Sequence, residues 1–217
     1  MARKGDPGQP QGVGPRVEEP IRERLMKSAL RLFTQRGYSA TTVRELVEEA
    51  GVTKPALYYH FGSKEELYLE LMRTNFNRIE AMFDTYREGE GDVRSRLMAF
   101  LDRGFLHVRQ NRDFIRLMHA VYFGPPGEAP FFDFDAYHQR FHDRIAHFLE
   151  EGIESGEIRS GDTGDMAWVI LGTMEIALED QICNQASRID RETLKRLLTL
   201  VFDGLAGDTQ KGKEKSV

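Results

Sequence analysis

A short stretch near residue 55 combines small side chains with hydrogen-bond donors. Between Thr53 and Phe61 the chain reads TKPALYYHF. The small side chains of Pro55 and Ala56 let the backbone approach a surface closely, while Lys54 and the two tyrosines and histidine beyond it offer donors and flat apolar contacts. Such groups contact the base edges and phosphates of duplex DNA. The stretch therefore predicts a nucleic-acid contact.

Capping residues predict that this stretch is the second helix of a helix-turn-helix. Thr42 and Glu45 have the spacing of a capping box, in which each side chain satisfies a free backbone donor at a helix start. Gly51 separates this helix from the next, which Thr53 can cap and which carries Pro55 in its first turn, where the missing N–H does no harm. Two short helices joined at a glycine are typical of a helix-turn-helix.

The start of the next helix predicts a phosphate contact. Ser63 and Glu66 repeat the capping-box spacing, and Lys64 lies in the first turn. Free backbone N–H groups and the positive end of a helix favour an anion, so Lys64 and the helix terminus can act on the same phosphate.

Apolar spacing is helical along the whole chain between its two ends. Leu25, Ala29, Leu32 and Phe33 follow an i, i+4, i+7, i+8 pattern, and no alternating run of useful length indicates a strand. The pattern predicts an all-α protein of about nine helices. Their expected spans are about 20–36, 42–50, 53–61, 63–86, 92–110, 112–123, 134–155, 163–186 and 191–206.

Charge is distributed unevenly over the 217 residues. The net charge is −5, from 30 basic and 35 acidic residues, which taken whole argues against a nucleic-acid partner. Residues 1–64, however, contain 11 basic and 7 acidic residues, whereas residues 65–217 contain 19 and 28. A basic first part on an acidic body predicts two tasks, contact with a polyanion and a separate task for the rest.

Composition disfavours several classes of protein and of site. No apolar run approaches the ~18 residues of a membrane span, and residues 1–17 lack the apolar stretch of a secretory signal, so a cytoplasmic protein without a membrane partner is expected. A single cysteine, Cys183, cannot form an internal disulfide, a cysteine-based zinc site or a CxxC pair. An enzyme is disfavoured because no nucleophile elbow, glycine-rich phosphate loop or catalytic grouping of fixed local spacing is present. No cofactor is expected.

The first part of the chain resembles a known family. The segment from Leu25 to Leu67, LMKSALRLFTQRGYSATTVRELVEEAGVTKPALYYHFGSKEEL, closely resembles the DNA-binding domain of TetR-type transcriptional regulators over about 43 residues. The resemblance implies an all-helical homodimer. Its first three helices would contact operator DNA, the fourth would link the domains, and the remaining helices would form an effector pocket and a dimer interface.

The resemblance also implies roles for individual residues. Base-edge contacts are implied for Arg44, Lys54, Pro55, Ala56 and Tyr58. Phosphate contacts are implied for Thr42, Thr53, Tyr59, His60 and Lys64. The residue types agree, since Arg44 has the fork geometry for guanine and hydroxyl groups suit phosphate oxygens. A packing role for Tyr58 and a purely capping role for Thr42 remain alternatives.

Four regions follow from these observations. Residues 1–19 are rich in glycine and proline and are expected to form a disordered tail, with residues 207–217 as its C-terminal counterpart. Residues 20–66 are the expected helix-turn-helix domain. Residues 67–206 are the expected ligand-binding and dimerisation domain.

Aromatic and methionine side chains are frequent in the second domain. They fit a pocket for an apolar or aromatic small molecule, and they fit a plain hydrophobic core equally well. The candidate pocket residues are Phe105, Met118, Tyr122, Trp168 and Met174, the first four because they fall on middle helices of the bundle.

Two polar features of this domain have more than one interpretation. His138 and His142 are spaced i, i+4 and could bind a metal with His119 or Asp135, but a solvated helix face more often explains such a pair, so no metal site is predicted. Glu175 interrupts an apolar run. It could balance a cationic ligand, although the solvent side of the helix is the simpler account.

The last two helices are the dimer surface that the resemblance implies. Gly172 permits close approach, and the apolar residues exceed what one subunit would comfortably expose. They are Ala167, Ile170, Leu171, Met174, Leu178, Leu194, Leu197, Leu198, Val201 and Leu205. A two-fold dimer predicts a roughly palindromic operator.

The sequence thus predicts a ligand-responsive DNA-binding transcriptional regulator, a repressor that a small molecule releases from its operator. The alternative is a helical small-molecule or protein-binding module that has lost DNA binding. Steep weakening of DNA binding with salt would distinguish the two, because a true operator complex neutralises several phosphates.

Overall fold

The computed structural model describes residues 19–183 and 187–205, and this part of the chain is all-α with nine helices. They are α1 (Ile21–Arg36), α2 (Val43–Ala50), α3 (Lys54–Phe61), α4 (Lys64–Arg87), α5 (Val93–Gln110), α6 (Arg112–Tyr122), α7 (Phe134–Glu154), α8 (Thr163–Cys183) and α9 (Arg191–Leu205). The predicted fold class is confirmed. Residues 1–18, 184–186 and 206–217, which include the predicted C-terminal tail, all but Glu19 of the predicted N-terminal tail and the end of the predicted eighth helix, lie outside the described residues.

The caps of the first short helices form as predicted. The Thr42 side chain accepts the N–H of Glu45 at 3.2 Å, and the Glu45 carboxylate accepts the N–H of Thr42 at 2.8 Å, which completes the capping box. At the start of α3, the Thr53 hydroxyl accepts the N–H of Ala56 at 3.4 Å. Gly51 ends α2 in the left-handed conformation with φ 61°, which favours glycine and lets the chain reverse between α2 and α3.

The start of α4 differs from the predicted capping box. Ser63 accepts the N–H of Glu66 at 2.9 Å, as expected. The Glu66 carboxylate lies instead 3.6 Å from the guanidinium of Arg73, one to two turns further along the same helix. Only the serine half of the box is therefore formed.

Two hydrophobic clusters form the core. The first joins α1, α2, α3 and the first half of α4 to α6 and to Phe132 and Phe134 before and at the start of α7. The second joins the end of α4 to α5, α7, α8 and α9. The first three helices therefore do not have a core of their own, because they share one with α6.

No helix in the described part of the chain is long and apolar enough to cross a membrane.

Candidate DNA-contact surface and effector cavity

Helix α3 divides sharply into a buried side and an exposed side. Leu57 is fully buried and Phe61 nearly so, and both belong to the first cluster. Tyr58 is half exposed and Tyr59 is 85% exposed. The buried pair holds the helix in place. The predicted packing role of Tyr58 is at most partial, since half of its surface meets solvent.

The other predicted contact residues of α2 and α3 also lie at the surface. Lys54, Pro55 and His60 are exposed, and Ala56 is half-buried. The rings of Tyr59 and His60 meet edge to face with centroids 5.2 Å apart. Helix α3 thus presents a contiguous set of donors and flat rings.

Arg44 on α2 is exposed but paired. Its Nε donates to the Glu48 carboxylate at 2.7 Å, and this hydrogen bond and charge raise the pKa of Arg44. An exposed pair four residues apart on a helix contributes little to stability, because water screens the two charges. The guanidinium can therefore exchange Glu48 for a base edge at small cost.

Lys64 has structural partners that sequence reasoning missed. Its Nζ donates to the backbone carbonyls of Tyr38 at 2.9 Å and Thr41 at 2.8 Å, and it lies 4.0 Å from the centre of the Tyr38 ring. Burial lowers the pKa of Lys64. The ammonium group ties the start of α4 to the turn between α1 and α2, so any phosphate contact would be a second role.

The same turn meets the body of the protein on its other side. The Ser39 hydroxyl donates to the backbone carbonyl of Glu128 at 2.5 Å, in the loop between α6 and α7. A cavity of about 620 Å³ lies at this junction, lined by the turn, α6 and the loop. No local pattern in the sequence predicts this contact, because its partners are 89 residues apart.

A second cavity, of about 590 Å³, lies among α4, α5, α6, α7 and α8; we call it the effector cavity. Its apolar lining residues are Phe76, Ile79, Met82, Phe100, Leu101, Val108, Ile115, Met118, Tyr122, Tyr137, Phe141, Trp168, Leu171, Met174 and Leu178. Phe76, Val108 and Ile115 belong to the first cluster, whereas Phe100, Leu101 and Met174 belong to the second. The effector cavity is thus the seam between the two halves of the core.

Four of the five predicted pocket residues line this cavity, namely Met118, Tyr122, Trp168 and Met174. Phe105 does not line it. The side chain is completely buried in the second cluster, because one residue step along an α-helix turns it by about 100° from the cavity-lining Gly104. The placement predicted for Phe105 is therefore corrected from pocket to core.

Carboxylates and histidines interrupt the apolar lining. The polar lining residues are Glu80, His107, His119, Asp135, His138, Gln139, Arg144 and Glu175. Asp135 accepts the Tyr122 hydroxyl at 3.1 Å, and this interaction raises the pKa of Tyr122. Arg144 donates to Asp84 at 2.7 Å. Glu175 lies at the cavity and not only on the solvent side that the sequence favoured.

The histidine pair in α7 divides between two environments. His138 lines the effector cavity, whereas His142 is buried with its Nε2 3.0 Å from the backbone carbonyl of Gly164. Within residues 19–183 and 187–205, no three His, Cys, Asp or Glu side chains are grouped so that they could hold a metal ion.

Exposed apolar side chains cluster on α8 and α9. Val169 and Ile176 on α8 are more than half exposed, and Leu200 on α9 is 70% exposed. A Cβ added at Gly172 or Gly204 would meet nothing within 4 Å. All ten apolar residues predicted for the dimer surface are instead buried or partly buried within the subunit; the buried ones are Ala167, Ile170, Met174, Leu194, Leu198 and Leu205.

Known proteins resemble this chain both in its first helices and along most of its length. Residues 25–71 match the family described as bacterial regulatory proteins, tetR family. The transcriptional repressor KstR2 of Rhodococcus jostii is 28% identical over 189 residues, which cover 85% of this chain and 91% of that protein. The transcriptional repressor AcnR of Corynebacterium glutamicum is 26% identical over 186 residues, which cover 83% and 89%.

A solved structure has the same fold along nearly the whole chain. The structure of SmeT in complex with triclosan has a TM-score of 0.72 at 18% identity, and the superposition covers 87% of this chain and 93% of that chain. Helices α4 to α9 therefore share the architecture of that protein as well as the first three helices.

Proposed function

This chain belongs to the TetR family of DNA-binding transcription regulators, and from that premise we propose that it is a repressor that binds a palindromic operator as a homodimer and is released by a small apolar or aromatic effector. Like its family it is a regulator and not an enzyme. We assign operator contact to residues 20–66, and effector binding and dimerisation to residues 67–206.

The observation that carries the proposal is the unused donors of α3. Lys54, Tyr58, Tyr59 and His60 are all exposed, and none of their side chains makes a hydrogen bond or an ion pair with the residues that the structure describes. Four neighbouring donors and rings without an internal role favour an external partner. DNA fits them, because phosphates and base edges supply the acceptors.

The dimer follows from the exposed apolar surface of α8 and α9. Val169, Ile176 and Leu200 are exposed apolar residues on adjacent helices, and Gly172 and Gly204 leave room for close approach. A second copy of the chain would cover these side chains in a two-fold interface. Two copies of α3 then read two half-sites, which favours a palindromic operator.

Release follows from the position of the effector cavity at the seam of the core. A ligand there touches Phe76 on α4 and Ile115 on α6, and both belong to the cluster that also holds α1 to α3. It touches Phe100 and Met174 on the other side. A ligand that binds better to one separation of the two clusters shifts the spacing of the two α3 helices, and a ligand without such a preference shifts nothing.

The comparisons support repression and a small-molecule effector. The two relatives that match most of this chain are named repressors. SmeT has been solved as a complex with triclosan, so a small molecule occupies a protein of the same fold. The apolar and aromatic lining of the effector cavity favours the same chemical class here.

Selection from a random pool of double-stranded DNA at near-physiological salt tests the proposal directly. We expect a palindromic motif, with an affinity that falls steeply as salt rises, because each neutralised phosphate adds about 0.9 to the slope of log K against log salt. A reporter gene behind the selected motif then gives the sign of regulation. Folded, dimeric protein that enriches no sequence would favour a binding module without DNA contact and would contradict the proposal.

A further inference from the structure

One group of the effector cavity is left without a partner. Four buried side-chain nitrogen and oxygen atoms in the described part of the chain make no hydrogen bond, and only the Nε2 of His107 belongs to a residue that lines the cavity. Buried polar atoms are ordinarily bonded, because an unmade hydrogen bond costs the desolvation of the group. His107 lines the effector cavity, so a ligand there that displaces the atoms packed against Nε2 can supply the missing acceptor.

The neighbour of His107 favours one position for the ring proton. The Nδ2 of Asn111 donates to the backbone carbonyl of His107 at 2.8 Å, and this carbonyl can only accept, so that atom is the amide nitrogen. The same Nδ2 lies 3.4 Å from the Nδ1 of His107, which can accept its second hydrogen when Nδ1 is unprotonated. In a neutral imidazole whose Nδ1 accepts, Nε2 carries the hydrogen.

The ring is held in its neutral form. Burial lowers the pKa of His107, and the positive charges of Arg78 and Arg103 lower it further. His107 therefore supplies a single uncharged N–H donor at the cavity, which suits an acceptor oxygen. Neither a cation nor a hydrogen-bond donor on the ligand would satisfy it.

The remaining lining disfavours an anionic occupant. Glu80, Asp135 and Glu175 all lie at the cavity, and of these Glu80 is paired with Arg140 at 3.1 Å. Arg144 is the one arginine or lysine among the lining residues, and it is already bound to the Asp84 carboxylate at 2.7 Å. A free carboxylate or phosphate would thus meet more negative than available positive charge.

We propose that the effector is a neutral, mainly apolar molecule whose carbonyl or other acceptor oxygen accepts a hydrogen bond from the Nε2–H of His107. The inference rests on the proposed function, since it takes this cavity as the effector site. It adds the polar anchor and the charge class of the ligand. The aromatic and methionine walls bind the body of the molecule, and His107 orients it.

Three matched probes test the assignment. Benzophenone and diphenylmethane differ only in a carbonyl in place of a methylene, and 4-benzylbenzoate adds a carboxylate to the same skeleton. Water expels the hydrocarbon more strongly than the ketone, so a preference for the ketone must come from a specific polar contact. Calorimetry gives the affinities. Trp168 is the only tryptophan of the chain and lines the cavity, so its fluorescence reports whether the probe binds there.

We expect the dimer to bind benzophenone about 3- to 12-fold more tightly than diphenylmethane, within the range of one neutral hydrogen bond, and more tightly than the carboxylate. His107→Phe keeps a flat ring without a donor and should reduce the ketone preference to less than about 2-fold. His107→Gln, which retains an N–H, should keep part of it. His147→Phe changes an exposed histidine outside the cavity lining and should leave the preference unchanged.

Each other outcome has a distinct meaning. Equal binding of ketone and hydrocarbon, tightest binding of the carboxylate, or a ketone preference that survives in His107→Phe overturns the role of His107 and leaves the apolar effector cavity standing. Failure of all three probes to bind folded wild-type protein overturns the effector cavity itself. Operator selection is measured without any ligand, so it remains a separate test of the DNA-binding part of the proposed function.

Discussion

The DNA-contact surface and the effector cavity are built in opposite ways. All ten residues predicted to contact DNA lie between Thr42 and Lys64, and most of them project from two short helices into solvent. The cavity draws its lining from five helices between Phe76 and Leu178. The first site is therefore a local property of one continuous segment, whereas the second exists only once distant helices pack.

The two sites nevertheless share one part of the core. The first cluster contains Leu57 and Phe61, which hold α3, together with Phe76 and Ile115, which line the effector cavity. Packed interiors transmit displacement because they contain few voids. A change in the lining of the cavity can therefore alter the ligand without altering α3, provided that this shared cluster is kept.

The largest expected effect is the loss of the proposed dimer, because a second copy of the chain would supply the second α3 that contacts the operator. Ile176→Glu combined with Leu200→Glu places two charges per subunit in the proposed interface, where burial of unpaired charge costs several kcal/mol. Sedimentation velocity should show one chain instead of two, and operator affinity should fall with the loss of the second half-site. Phe123→Glu, at an exposed aromatic residue outside α8 and α9, should leave the dimer intact. A dimeric double variant would place the interface elsewhere.

Removal of the exposed donors of α3 should weaken operator binding without affecting ligand binding or stability. Lys54→Ala combined with Tyr59→Ala is expected to weaken operator binding about 100-fold, at roughly 1 to 2 kcal/mol for each lost contact. Thermal stability and ligand affinity should not change, because both side chains are exposed. Fluorescence anisotropy with the selected operator measures the loss, and Lys195→Ala on α9 is the control for loss of a positive charge. Unchanged operator affinity would remove α3 from the DNA-contact surface.

Lys64 lies at the boundary between the two regions and tests which role dominates. Lys64→Met leaves the carbonyls of Tyr38 and Thr41 without their donor, so we expect a loss of about 1 to 3 kcal/mol in the free energy of unfolding. Denaturant titration measures it. Lys54→Met, at an exposed lysine, should leave stability unchanged. If Lys64→Met lowers only operator affinity, the phosphate role predicted from the sequence is the principal one.

The smallest expected change in stability is that of Gly104→Ala in the effector cavity. A Cβ there would lie 3.6 Å from the end of the Met174 side chain, an ordinary contact. Gly104→Ala should therefore stabilise α5 by about 0.5 to 1 kcal/mol, since glycine is a poor residue for the interior of a helix. Gly104→Met should occupy part of the cavity and weaken binding of benzophenone while operator binding persists. Thermal unfolding and calorimetry measure the two outcomes, and a ligand that binds Gly104→Met as tightly as the wild-type protein occupies another site.

Local signals predicted the helices almost to the residue. The Thr42 and Thr53 caps and the turn at Gly51 form as expected because capping and the left-handed conformation depend on side chains within a few residues. The second capping box formed only in part, since Arg73, a residue outside the pattern, takes the Glu66 carboxylate. Neighbouring residues thus predict a helix cap well, unless a charged side chain from outside the capping pattern lies close enough to pair with one of its members.

The sequence by itself determined the fold class, the helix boundaries and the row of donors on α3, because helix periodicity, caps and side-chain type are written in consecutive residues. Only the tertiary structure decided that Phe105 is core, that Lys64 binds two carbonyls, and that His107 has an unpartnered nitrogen at a cavity. These properties depend on which residues from distant helices occupy the neighbouring space. A periodic pattern specifies the face that is buried, and packing specifies what that face meets.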